Sequence, residues 1–216
     1  RAGAAAVNLQ SDETMPLAGY LEDRFTKEQE GELRAVAVVV EKPGGDKVAI
    51  VACDVLWVTR AIVDAAVAEI ERTTGIPASH VLVNATHTHH APAMEVPDPL
   101  YVPALETTIG DAILDAASRL QPVRIGLGRV RIDVAHNRRK ILDDGHCRMF
   151  WRNEKRLPTV PLDPMAGVIV IADAEDRPLS VLVHFACHPV VMGLSNMQYS
   201  ADYPGEMARL VKQQTG

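Results

Sequence analysis

The chain has 216 residues, 47% of them hydrophobic and 23% charged, and a formal net charge of −6. That length supports a sizeable α/β core, and an acidic chain without a block of Lys and Arg argues against a nucleic-acid partner. No apolar run approaches the about 18 residues needed to cross a bilayer.

Arg1 is followed by AGAAAV, which lacks the apolar core of a secretory leader. A mature secreted chain would read the same way, so secreted, periplasmic and cytoplasmic settings all stay open. Three widely spaced cysteines, Cys53, Cys147 and Cys187, do not make a disulfide framework. Cys53 and Cys187 each end an apolar run and are expected to be buried thiols.

In chain order, RAVAVVVEK (34–42) and KVAIVACDV (47–55) are β-branched runs joined by PGGD, which predicts a hairpin. Residues 59–75 repeat Ile62, Val63, Ala66, Val67 and Ile70 at helical spacing, with Thr59 to cap and Gly75 to stop the helix. HVLVNA (80–85) reads as a strand. After a passage containing Pro92, Pro97, Pro99 and Pro103, residues 104–120 form a second amphipathic helix. Residues 123–135 alternate, with Val130, Ile132 and Val134 on one face, and predict a half-buried, antiparallel strand. Residues 136–163 are polar and irregular. AGVIVIAD (166–173) and LSVLVHFACH (179–188) are two further strands, and SADYPGEMARLVKQQ closes in a helix with Pro204 in its first turn. The pattern predicts a mixed β-sheet flanked by helices, one α/β domain over residues 1–216.

Histidines cluster where strands end. HVLVNATHTHH ends in His87, His89 and His90, and LSVLVHFACHP ends in His188. Active sites of open α/β sheets lie beyond the carboxyl ends of strands, and imidazoles from two strand ends are plausible zinc ligands. If residues 86–89 stay extended, His87 and His89 point to one side, so either or both can bind a metal. His184, inside the last strand, reads as structural. His80, His136 and His146 have no comparable setting.

These stretches carry a resemblance. NATHTHHAPA resembles the THTH-x-x-P signature of the neutral ceramidase family, the neutral/alkaline non-lysosomal ceramidases and their shorter bacterial relatives. VAHNRR is similar to that family's NR segment. VLVHFACHPVVMG with SADYPGEMARLV resembles its HP segment and the S-x-D stretch behind it, and AGAAAVNL with MPLAGY resembles its start.

The resemblance implies a catalytic-domain half of a neutral ceramidase-like fold, with zinc as cofactor held by His87 and His188. It implies that His89 faces the substrate and that Arg138, with Asn137, binds the substrate's polar head. Zinc with an open position polarises a carbonyl or acidifies water, and a guanidinium fork suits a carbonyl or carboxylate. Asp54 and Asp202 are candidates to orient a zinc-bound imidazole from behind. Asp202 reads equally well as a helix cap, and Asp54 as a solvated strand end. His90 stands where the family has a small residue, with consequences for pocket size or substrate. The family's Glu and Tyr ligands and its Gly/Asp-rich nucleophile loop have no counterpart before Gly216, so the chain is expected to be the N-terminal part of a longer catalytic domain. The expected activity is hydrolysis of an acyl–nitrogen bond in an N-acylated, lipid-like or other small substrate. The alternatives are a non-catalytic metal-binding domain of the same fold and a zinc esterase acting on a sugar or cell-wall conjugate.

Overall fold

The structure is a computed structural model that describes residues 1–11, 15–26, 28–94 and 101–216. Pro97 and Pro99 of the proline-rich passage lie outside the described residues. The architecture is mixed α/β. Contacts divide it into two compact units: Arg1–Ile125 with Ile171–Ser180 and His188–Gly216, and Gly126–Val170 with Val181–Cys187.

The first unit is built on a four-stranded sheet. Strand β1 (Ala2–Asn8) is followed by the short β2 (Gln29–Glu30), then β3 (Arg34–Glu41) and β4 (Lys47–Cys53). Helices α1 (Arg60–Val67) and α2 (Ile70–Thr74) lead to β5 (Val81–Ala85), and α3 (Tyr101–Ser118) follows. The order is β1-β3-β4-β5. The expected hairpin is present, with β3 antiparallel to β4. β4 pairs with β5 in parallel, as a strand–helix–strand crossover demands.

The expected helix over 59–75 is two helices. Thr59 caps the first, its side chain accepting from the Ile62 amide at 3.3 Å. The helix tightens at Ala68, whose amide bonds Ala65 three residues back. Gly75, at φ 71, stops the second in the left-handed conformation.

β1 is a strand that propensity does not announce, because alanine is a poor strand former. It forms because α3 packs closely on it. A Cβ at Gly3 would sit 2.9 Å from the Arg119 carbonyl carbon, so only a minimal residue fits beside the end of the helix. α3 buries Leu105, Ile109, Ala112, Ile113 and Ala116, which recur on one helical face. These meet Leu33, Val39 and Val51 in one core cluster, and truncating one such residue costs about 2–5 kcal/mol.

In the second unit, β6 (Arg124–Arg131) and β9 (Met165–Ala172) pair, and β10 (Pro178–His184) lies outside β9. The ends of these strands belong to the first unit. β6 was expected to be half-buried, but every one of its residues is exposed, Leu127 by 80%. Its alternation is real, but no helix covers it among the described residues of its unit. The supposedly irregular stretch also contains a small antiparallel hairpin, β7 (Arg139–Ile141) and β8 (Cys147–Met149).

Near the carboxyl terminus, β11 (Tyr199–Ser200) pairs in parallel with β2, and α4 spans Asp202–Thr215. No described helix is long and apolar enough to cross a membrane.

Candidate metal centre

The parallel register places Cys53 beside Ala85, so β4 and β5 end level with one another. The Thr86 amide then donates to the Cys53 carbonyl at 2.8 Å and the His87 amide to the Val55 carbonyl at 3.0 Å. At His87 the chain turns, with φ 69, a left-handed conformation uncommon for a side chain. Residues 86–89 therefore do not stay extended. The rings of His87 and His89 nonetheless meet, their centroids 5.1 Å apart.

His188 completes a triangle. Its ring centroid lies 4.9 Å from that of His87 and 4.7 Å from that of His89. It does not end a strand as expected: β10 stops at His184, which is exposed, and His188 lies on the loop beyond. One ligand atom from each of the three imidazoles falls within 4.8 Å of the others.

Two backbone carbonyls set which nitrogen each ring offers. Nδ1 of His87 lies 2.7 Å from the Leu56 oxygen, and Nδ1 of His89 lies 2.7 Å from the Gly19 oxygen. A carbonyl oxygen only accepts, so both Nδ1 atoms carry the proton and both Nε2 atoms present a lone pair. Neutral imidazole with its other nitrogen anchored is the form that binds zinc. The residues present therefore fit a metal ion.

His90 has the opposite tautomer. Its Nε2 donates to the Gly193 carbonyl at 3.1 Å, and its side chain is fully buried. Its Nδ1 is 3.9 Å from Asp202 Oδ2, too far for a hydrogen bond. Burial holds this imidazole below its ordinary pKa, against the pull of the Gly193 carbonyl. His90 is thus a strut between two loops.

Asp54 and Asp202 hold backbone and hydroxyl groups near the histidines, while carbonyls bond the rings of His87, His89 and His90. Asp54 is buried, and accepts from the Arg34 amide at 3.0 Å and the Thr86 hydroxyl at 3.2 Å. It is not a solvated strand end. Burial pushes its carboxyl up to about 6, and the bonds from Arg34 and Thr86 pull the other way. Asp202 has φ 53 and is the first residue of α4, behind Ala201 at the cap position. Its carboxylate reaches back to the Val191 and Met192 amides at 3.3 and 3.1 Å, fastening the His188 loop.

Arg138 and Asn137 belong to the second unit. The Arg138 guanidinium lies 5.3 Å from the Trp151 ring centroid. Asn137 donates from Nδ2 to the Pro161 carbonyl at 2.8 Å and accepts from the Arg139 amide at 2.9 Å. Of the other histidines, His80 bonds the Lys47 carbonyl, His136 bonds the Phe150 carbonyl, and His146 lies 3.3 Å from Asp144. Cys53 is fully buried, and burial pushes its thiol up to about 12. Cys187 is only half-buried and departs from the expectation, because it lies past the end of β10.

Sequence reasoning missed Leu56 and Gly19. Both act through carbonyls, which every residue has. Gly19 alone left a signal, a glycine within MPLAGY, and its φ is +87. A Cβ there would collide with the His89 ring, lying 2.5 Å from its Cγ.

No protein-family model matches the chain, and no curated protein sequence does. Solved structures do match, among them a neutral ceramidase from Pseudomonas aeruginosa and a ceramidase complexed with C2. Each superposes on the whole of this chain with a TM-score of 0.83 at 21% sequence identity. The chain spans 36% and 35% of their lengths, about a third of each. It has the fold of a segment of bacterial neutral ceramidase, with a cluster of three histidines able to hold a metal on the loops beyond its strands.

Proposed function

We propose that the protein is a zinc-dependent hydrolase that cleaves an acyl–nitrogen bond in an N-acylated, sphingolipid-like substrate. The observation that carries this reading is the convergence of His87, His89 and His188 with two rings locked as Nδ1–H tautomers. The ceramidase fold supplies the reaction class, and the resemblance of the THTH, NR and HP segments supplies the residue roles.

In this reading His87 and His188 hold the ion. A bound zinc supplies Lewis acidity toward the amide carbonyl and toward water. His89 contacts the substrate, and Arg138 with Asn137 binds its polar head. The Gly19 carbonyl keeps the His89 proton on Nδ1, so Nε2 accepts rather than donates at the reacting face. The closeness of His89 to the other two rings favours a second assignment, His89 as a third ligand.

The test is a panel of N-acyl sphingosines, other N-acyl amines, N-acyl sugars and matched esters, assayed with and without zinc. Zinc-dependent release of fatty acid from the amides supports the reading. Cleavage of the esters alone points to an esterase, and binding of zinc without turnover of any substrate points to a non-catalytic domain.

A further inference from the structure

Arg24 enters none of the roles above, yet it is only 5% exposed and lies among the loops that carry the histidines. Its Nη2 donates to the His89 carbonyl at 3.0 Å and to the Ala18 carbonyl at 3.3 Å. Its Nη1 donates to the Asn196 carbonyl at 3.0 Å. Its guanidinium lies 4.2 Å from the Tyr20 ring centroid, and that ring meets His89 edge-on at 5.4 Å.

Those three carbonyls lie on three separate stretches. Ala18 precedes Gly19, whose carbonyl anchors the His89 ring. The turn they occupy is closed by the Leu17 amide donating to the Arg24 carbonyl at 2.6 Å. His89 belongs to the cluster itself. Asn196 stands on the stretch between His188 and β11, which His90 and Asp202 fasten elsewhere. None of the three stretches is held by long regular structure: single backbone bonds tie them in pairs, Ala18 amide to Ala91 carbonyl at 2.8 Å and Ser200 amide to His90 carbonyl at 2.9 Å, and the Arg24 side chain reaches all three.

We propose that Arg24 is a positioning residue for the histidine cluster, its fork fixing the Gly19 turn, the His89 backbone and the His188 loop relative to one another. The planar fork is what the task requires. Donors on two nitrogens reach carbonyls in different directions, whereas a lysine carries its donors on one atom. Hydrogen bonds from a charged donor are also the strong ones, and the Tyr20 face holds the guanidinium plane in place. Where the proposal concerns metal affinity it rests on the reading of the cluster as a metal centre. Where it concerns the His89 ring it does not.

The experiment compares wild type, Arg24→Lys and the core variant Ile113→Val, which lowers stability without touching the site. Long-range proton–nitrogen correlation of the imidazoles reads the His89 tautomer without metal, and zinc titration reads affinity. Wild type should show His89 with its proton on Nδ1. Arg24→Lys should show averaged ring nitrogens and zinc binding weaker by about 10–100-fold. Ile113→Val should match wild type in both. An Arg24→Lys protein with wild-type tautomer and wild-type affinity would overturn the proposal. If wild type takes up no zinc, the metal reading fails by itself and the tautomer still decides on Arg24. If Arg24→Lys does not fold, the wild-type guanidinium spectrum decides. Separate, slowly exchanging Nη protons at Arg24 support the clamp, and a single averaged set overturns it.

Discussion

Gly19 governs His89 twice: its carbonyl oxygen lies 2.7 Å from Nδ1, and its missing Cβ leaves the space the ring occupies. Gly19→Ala should therefore displace the imidazole and strain a backbone at φ +87 together. We expect a stability loss of about 1–3 kcal/mol and, where His89 is the third ligand, zinc affinity lower by at least about tenfold. Denaturant unfolding and zinc titration on the same variant check both. Wild-type affinity would take His89 out of the ligand set, and wild-type stability would mean that the added methyl does not crowd its ring.

Asp202 fastens the His188 loop through the Val191 and Met192 amides. Asp202→Ala leaves these donors without their carboxylate, at a cost of about 1–3 kcal/mol. Asp202→Asn retains one acceptor oxygen and should recover part of it. The amides of Val191 and Met192 should lose hydrogen-exchange protection in the alanine variant, while β3 and β4 stay protected. Loss spread evenly through the sheet would assign Asp202 to global stability alone.

Asp54 gives the fold a pH dependence of definite sign. Its carboxyl sits at about 6 because burial disfavours the anion, above the ordinary value of about 3.9 for the unfolded chain. The folded state thus binds the proton more tightly between these values, and the stability from this group is fully present below about 4 and is lost as pH rises through about 6. The shift corresponds to about 2–3 kcal/mol. Unfolding free energies measured from pH 4 to 8 should show this decline, and Asp54→Asn should flatten it. An unchanged slope in the variant would place the dependence elsewhere.

Cys53 and Cys147 should separate in a labelling experiment. Cys53 is fully buried, with its thiol pushed up to about 12, whereas Cys147 is exposed on β8. A thiol reagent should modify Cys147 in the native protein and reach Cys53 only on unfolding. Rapid native labelling of Cys53 would show that the β3–β4–α3 core opens readily.

The fold was legible wherever residue type and period agree. The β3–β4 hairpin shows in its Val and Ile runs around PGGD, and α3 shows in the repeat of Leu105, Ile109 and Ile113. β1 was hidden because its alanines answer to the helix packed on them, a tertiary demand with no local signature. The exposure of β6 was hidden for the converse reason, since alternation shows which residues share a face and not whether anything covers it. At the site, the histidines stood out as residue types at strand ends. Their orientation did not, because it depends on the carbonyls of Leu56 and Gly19 and on the left-handed turn at His87. Arg24 was invisible for the same reason, as its partners are three backbone oxygens in three distant stretches.

The central claim is that the histidine cluster is a metal centre. Zinc titration with metal analysis on wild type, His87→Ala, His188→Ala and His89→Ala tests it most directly. We predict one zinc per wild-type chain and its loss in His87→Ala and His188→Ala, since a methyl group cannot donate to the ion. His89→Ala should keep most of the metal if that ring contacts substrate, and lose it like the others if it is the third ligand. Failure of the wild-type chain to bind zinc, or undiminished binding in both His87→Ala and His188→Ala, would contradict the account.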